Sequence, residues 1–322
     1  MKAAVWRGKH DVRIEDVPDP AIVNPHDAIV KVTLSAICGS DLHLYNGFNP
    51  AMRSGDVLGH EFVGEIVSAG PACEHVRVGD RVIVMCAIAC GRCWFCKHDE
   101  FSACDNSNPA SSQLATEMLY GHAGAGVFGS SHLYGGYAGG QAEYVRVPFA
   151  DVGCLKAPVE LSDEQLIFLG DIFPTGFMAA EAGAIEIDET HGEMMRRIDD
   201  LTGGRGPDAC IDAVGHEVHG RPIALSHAIH ACRKGGTVSI PGVYGGLVDK
   251  FPLGAAFGKG LTLRMGQTQF HKYAPDLLAR VQSRQIDPSF VITHRVTLDD
   301  LPAAYDMFDA RRDGCIKVVA RP

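Results

Sequence analysis

The fifteen-residue stretch "CGRCWFCKHDEFSAC" sets Cys90, Cys93, Cys96 and Cys104 in the spacing C-x2-C-x2-C-x7-C. Two-residue gaps let successive thiolates turn inward from one tight loop, and four soft donors complete a tetrahedral zinc shell with no open position. The segment is therefore expected to fold as a closed structural lobe around a metal. An iron–sulfur cluster is the rival reading, but the ferredoxin run has a shorter last gap followed by proline, where this chain places residues 97–103. Disulfides are the other common use of clustered cysteine. Eleven cysteines is an odd number, the chain is 322 residues long, and "MKAAVWRGKHDVRIED" carries charge where a secretion signal needs an apolar core.

The remaining sequence divides in texture. Up to about Pro148, short β-branched runs ("DAIVKVTLSAI", "EFVGEIVSAG", "VGDRVIVMCAIA", "GGQAEYVRVP") alternate with Gly, Pro and Asp punctuation, which predicts a β-rich, barrel-like domain. The Gly/Ser-rich stretch 105–140 reads as a long loop. After Pro158 the pattern becomes α/β. "SDEQLIFLGDIFPTGFMAAEAG" opens with a Ser162–Gln165 capping box and reads as helix, and "HGEMMRRIDDLTGG" reads as an amphipathic helix closed by Gly203. "PDACIDAVG", "GTVSIPGV" and "LTLRMGQ" read as strands separated by further helices, a rhythm that implies a parallel sheet. A formal charge of −10 argues against nucleic acid or an anionic membrane as partner, and no apolar run nears the ~20 residues of a membrane span. The expected setting is the cytoplasm.

Several motifs in a fixed order, "ICGSDLH", "GHEFVGEI", "GDRV", the four-cysteine loop, "GGQAEYVRVP", "GDIFPTGF", "GGRGPDACIDAVG" and "GCIKVV", resemble the zinc-dependent medium-chain alcohol dehydrogenases. The branch they resemble includes glutathione-independent formaldehyde dehydrogenase. The resemblance implies an α/β plus β chain. A GroES-like β-barrel catalytic domain would occupy 1–150 and 290–322, and a Rossmann-type α/β domain 151–289. It implies two zinc ions per chain: a structural one on the four cysteines, and a catalytic one on Cys38, His60 and Asp171, where many relatives have Cys in place of Asp171. Carboxylate for thiolate keeps the formal charge and hardens the site. Ser40 would take the alcohol proton, His43 would pass it outward, and Glu61 would act on the metal from beside it. NAD(P) and a small alcohol or hydrated aldehyde are the implied cofactor and substrate, in a homodimer or homotetramer. The cofactor would lie against Thr175, Asp212, Gly215, Gly242 and Val243.

One element of that family is missing. A dinucleotide site needs a strand, G-x-G-x-x-G opening a helix, and an acidic residue at the end of the next strand. The chain passes from Thr175 through "GFMAAEAG" directly to "AIEIDE", and 35 positions separate Thr175 from Cys210. A βαβ unit alone takes about 30 residues, so some 50 to 60 residues (strand 1, the glycine turn, its helix and strand 2) are absent, with a seam near 182–184. "GHAGAGVFG" (Gly124, Gly126, Gly129) matches the glycine pattern formally but follows no parallel strand. NAD is accordingly expected to bind weakly or not at all, and the "AIEI" run at residues 184–187 to move beside "ACIDAV". Two alternatives remain open at this point: a zinc enzyme without redox chemistry (hydration, lyase or aldol-type), and a zinc-stabilised non-catalytic protein.

Overall fold

The computed structural model describes residues 1–109, 122–181, 191–215, 222–244 and 248–322. The predicted seam at 182–184 and the strand at 184–187 lie outside them. The strands are β1 (Lys2–Gly8), β2 (Asp11–Asp16), β3 (Ala28–Ile37), β4 (Phe62–Ala69), β5 (Arg81–Val84), β6 (Ala87–Ile88), β7 (Gly126–Val127), β8 (Tyr144–Val147), β9 (Cys154–Lys156), β10 (Ala209–Ile211), β11 (Thr237–Ile240), β12 (Thr262–Met265), β13 (His294–Thr297) and β14 (Val318–Arg321). The described chain separates into two compact units, dividing at Pro174/Thr175 and Thr268/Gln269.

The first unit is organised on β3, ten residues rich in Val, Ile, Leu and Ala with a single exposed position, Lys31. Such a run suits a strand covered on both faces. One edge of β3 pairs with β4 along most of its length, while the other edge is shared between β8 at Ala28–Lys31 and β14 at Ser35–Ile37. The sheet continues as β4–β5–β9 on one side and β14–β13 on the other. All pairings are antiparallel except β13–β14. Among the described residues the hydrogen-bonded path does not return to its start, so the barrel expected from the strand rhythm is an open, branched sheet. Two apolar cores flank it. One gathers Val30, Phe62, Ile66, Val84, Phe128 and Val147; the other packs the helices Gly39–Tyr45 and Leu301–Asp309 together, with Tyr45 stacked on Tyr305 at 5.3 Å between ring centroids.

At Gly64 the β3–β4 pairing leaves no room for a side chain, because a Cβ there would lie 2.1 Å from the Lys31 carbonyl oxygen. The strand register therefore depends on glycine at that position.

The stretch read as one helix from Ser162 is broken. The Ser162–Gln165 capping box is present and opens the short helix Asp163–Leu166. A 3-10 turn, Ile167–Gly170, follows, then Asp171 at φ −151°, ψ −81°, and only then the helix Ile172–Ala180. Gly170 brings its backbone against the Val84 carbonyl, where a Cβ would sit 2.6 Å from the oxygen. That contact and the extended φ of Asp171 override the helical propensity and turn the Asp171 side chain away from a helical path.

The second unit holds the parallel sheet β10–β11–β12, in that order, with the helices Ile223–Ala231 and Leu253–Lys259 against it. Leu225, Ile229, Cys232, Val238, Ile240 and Ala256 form its core. Lys259 donates to the carbonyls of Ile229, His230 and Cys232, and so closes the C-terminus of the helix Ile223–Ala231 with a cation, as the helix dipole favours. Among the described residues no helix is long and apolar enough to cross a membrane.

Candidate metal centres

The four cysteines of "CGRCWFC…C" meet. One sulfur from each of Cys90, Cys93, Cys96 and Cys104 lies within 4.8 Å of all the others. The loop that brings them there is built from N–H···S contacts. Cys90 Sγ accepts from the backbone N–H groups of Arg92 (3.5 Å) and Cys93 (3.4 Å) and from Asn106 Nδ2 (3.3 Å). Cys104 Sγ accepts from the Cys90 N–H at 3.3 Å, and Cys93 Sγ, at the N-cap of the helix Trp94–Lys97, accepts from the Cys96 N–H at 3.5 Å. Burial pushes the Cys90 thiol up, but these donors outweigh it and bring it down to about 6. At Cys96 and Cys104 burial prevails and pushes the thiols up. Donors aimed at sulfur favour thiolate, the form that binds metal, and a donor set of four sulfurs fits a structural zinc.

The second cluster draws on three distant parts of the chain. Cys38 follows β3 directly and occupies the N-cap of the helix Gly39–Tyr45. His60 precedes β4, in a turn where Gly59 (φ +96°) approaches Gln141 so closely that a Cβ would lie 2.5 Å from its side chain. Asp171 sits at the break after Gly170. One donor atom from each of Cys38, His60 and Asp171 lies within 4.8 Å of the other two, and all three residues are buried. His60 Nε2 is 3.0 Å from Asp171 Oδ2 and 3.3 Å from Ser40 Oγ.

Asp41, which sequence reasoning did not single out, orients this cluster. It is completely buried; Oδ2 accepts from the Cys38 N–H at 2.9 Å and Oδ1 faces His60 Nδ1 at 3.0 Å. One carboxylate thus ties the backbone of the first donor to the ring of the second and turns His60 Nε2 towards Asp171, the carboxylate–histidine arrangement that prepares an imidazole to bind metal. The available signal was its place three residues after the N-cap in "CGSD". Burial opposes a charge on His60, yet Asp41, Cys86 and Asp171 reverse the balance and raise its pKa well above the ordinary value. Burial likewise opposes ionisation of Asp171, and the His60 contact brings its pKa down. One carboxylate, one thiol and one imidazole form a donor set suited to a divalent cation in place of that proton, with Asp41 behind the imidazole.

Glu61, fully buried next in sequence, meets a residue also missed by sequence reasoning. Its Oε2 accepts from Lys317 Nζ across 256 positions of chain, while Oε1 has no hydrogen-bond partner among the described residues. His43 lies one helical turn beyond Ser40, half-buried, with its ring edge-on to Phe48 at 6.1 Å.

The residues expected at a cofactor site lie in the second unit. Thr175 is in the helix Ile172–Ala180, and Asp212 follows β10. Asp212 is buried and already supplied with donors: Oδ1 accepts from the N–H groups of Val214 (3.1 Å) and Gly215 (3.3 Å), and Oδ2 from the Tyr244 hydroxyl at 2.6 Å. Gly215 and the Gly242–Val243 turn abut, since a Cβ on Gly215 would sit 2.5 Å from the Val243 nitrogen. Gly126 belongs to β7, paired antiparallel with β6, so "GHAGAGVFG" is no nucleotide turn.

Three comparisons bear on the chain. Residues 24–158 match the family model described as the alcohol dehydrogenase GroES-like domain. An uncharacterized zinc-type alcohol dehydrogenase-like protein of Bacillus subtilis is 35% identical over 390 aligned positions, covering 100% of each chain. The glutathione-independent formaldehyde dehydrogenase of the same organism is 30% identical, over 96% of this chain and 94% of that protein. Among solved structures, an alcohol dehydrogenase from Thermus sp. ATN1 superposes with a TM-score of 0.81 at 31% identity, covering 100% of this chain and 99% of the other.

Proposed function

This chain belongs to the zinc-type medium-chain alcohol dehydrogenase family, and from that premise we propose that it carries the family's metal chemistry on a small alcohol or hydrated aldehyde, with its use of NAD(P) impaired. The observation that carries the reading is the convergence of Cys38, His60 and Asp171. Zinc bound there would act as a Lewis acid, lowering the proton affinity of a substrate hydroxyl near neutral pH. Ser40, beside His60, receives the hydroxyl proton, and His43 on the same helix passes it outward. Asp41 holds His60 to its task, and the Glu61–Lys317 pair sets the charge behind the donors. The four cysteines hold a second, structural zinc.

Impairment is supported by what the chain lacks. No dinucleotide fingerprint follows Thr175, and the alignment to the Bacillus subtilis protein runs to 390 positions, 68 more than this chain has residues. Backbone N–H groups and a helix N-terminus normally receive the pyrophosphate, and that turn is missing here. The Tyr244 hydroxyl and two backbone N–H groups already occupy the Asp212 carboxylate. The residues from 151 to 289 are read as a Rossmann-type domain without its first strand, glycine turn and second strand, in a cytoplasmic homodimer or homotetramer. Exposed Met265 on the edge strand β12 supports self-association.

Metal analysis and calorimetric titration test the reading together. Two zinc ions per chain with NAD and NADP binding weaker than micromolar are expected. Micromolar NAD affinity would remove the impairment, and a single zinc per chain would remove the catalytic site. The missing fingerprint equally favours a second reading, a zinc enzyme without redox chemistry, which turnover of hydration or aldol substrates without added nicotinamide would select.

A further inference from the structure

We propose that Gln141 is a positioning residue of the Cys38–His60–Asp171 cluster: its side-chain amide, fastened by the Tyr305 hydroxyl, fixes the Cys38 segment against the His60 turn. Gln141 lies three residues before β8 and is completely buried. Burying an amide is costly unless its groups are bonded, and here each polar atom has a partner. Nε2 donates to the Ala36 carbonyl at 3.1 Å, and Oε1 accepts from the Tyr305 hydroxyl at 2.9 Å. The backbone N–H donates to the Leu58 carbonyl at 3.0 Å, and the backbone carbonyl accepts from the Ala4 N–H at 2.7 Å.

These bonds reach both donor-bearing segments. Ala36 is in β3, two residues before Cys38, and its own N–H donates to the Glu61 carbonyl at 3.1 Å. Leu58 and Gly59 lead directly into His60. The Gly140 N–H donates to the Gly59 carbonyl at 2.8 Å, and the Gln141 side chain fills the space that a Cβ on Gly59 would take. One amide therefore spans the end of β3 and the turn before β4. Tyr305, also completely buried, adds a third segment, because its ring stacks on Tyr45 of the helix that carries Ser40 and Asp41.

An apolar side chain of the same length would fill the same space but would leave the Ala36 carbonyl and the Tyr305 hydroxyl without this partner. The Cys38 and His60 segments could then shift against each other. A metal reads such a shift directly, since its affinity depends on donors held at set separations by the groups behind them. The proposal rests on the reading of the three donors as a metal centre, and it adds a residue that acts on them only through the backbone.

Cobalt(II) titration of the full-length protein, followed by visible absorption, tests it. The bands that Cys38→Ser removes report the three-donor site, and the remainder report the four cysteines. Gln141→Met is expected to weaken cobalt binding at the three-donor site about 10–100-fold and to shift its ligand-field bands, with the four-cysteine bands in place. Tyr305→Phe keeps the ring and removes only the hydroxyl, so it should move the same bands less. Combined with Gln141→Met it should add nothing to the loss, because Tyr305 acts through Gln141. A role confined to stability would lower the urea midpoint yet leave the bands and affinity of the folded protein as in wild type, and that result overturns the proposal. Equal weakening at both metal sites, or losses that multiply in the double variant, overturn it as well. Should Gln141→Met not fold, wild-type bands and affinity in Tyr305→Phe are enough to do so. Wild-type protein with no band sensitive to Cys38→Ser would sink the metal-centre reading and the positioning role together, whereas two cobalt ions per chain with unmoved bands in the variants would sink the positioning role alone.

Discussion

Lys317 and Glu61 form an ion pair that is buried on both sides, with Lys317 Nζ also 5.5 Å from the centre of the Phe168 ring. Removing one member strands a charge in a low-dielectric interior, whereas removing both relieves two desolvation penalties together. Lys317→Met is expected to lower unfolding free energy by about 3–5 kcal/mol, and Glu61→Gln combined with Lys317→Met by much less. Urea denaturation of the two single variants and the double variant closes the cycle; equal losses in all three would contradict the pairing.

Metal content separates the two clusters. Cys38→Ser and Asp171→Ala are each expected to lower zinc from two per chain to one while the fold persists, because the β3–β4 pairing and the apolar core beside it hold the surrounding chain without the metal. Cys93→Ser should also remove one zinc and, in addition, make the lobe from Cys90 to Cys104 sensitive to proteolysis, since four-sulfur sites contribute folding energy outright. Emission spectroscopy with limited trypsin digestion reads both effects.

Stability should fall in acid through His271. Its two ring nitrogens are buried without partners among the described residues and its ring stacks on Phe101 at 4.8 Å; burial brings its pKa from the ordinary 6.5 down to about 3. The unfolded chain therefore takes up this proton first as pH falls. The effect is absent above 6.5 and grows as pH drops from 6.5 towards 3, with a slope of up to about 1.4 kcal/mol per pH unit. His271→Phe should remove that part of the slope, measured as urea midpoints at pH values on both sides of 6.5.

Alanine in place of two strand glycines should have unequal effects. A Cβ at Gly64 meets the Lys31 carbonyl oxygen at 2.1 Å, whereas a Cβ at Gly8 meets nothing within 4 Å. Gly64→Ala should cost about 1–3 kcal/mol or more by forcing β3 and β4 apart, and Gly8→Ala about zero. Thermal melts of the pair provide the comparison.

The residues that were legible in the sequence are those whose chemistry is local. Four cysteines in fifteen residues announce their own convergence, and the helix His191–Thr202, closed by Gly203 at φ +62°, lies where its apolar period and glycine placed it. The strands β10, β11 and β12 were legible for the same reason. The Cys38–His60–Asp171 cluster is held by contacts across 111 positions, which no period or spacing encodes, and only the order of family motifs suggested it. Lys317 and Asp41 each derive their role from a neighbour brought by the fold. The helix expected from Ser162 onward failed at Asp171 because a backbone contact between Gly170 and Val84 outweighed local propensity.

The shared edge of β3 has a consequence for biosynthesis. β14 pairs Val318 with Ile37, the residue before Cys38, and this register delivers Lys317 to Glu61. All three donors of the cluster are translated by residue 171, yet the counter-charge behind them is supplied by a strand made some 150 positions later. Until β14 joins β3, Glu61 stays buried without its counter-charge, so completion of this metal centre waits on that one strand pairing.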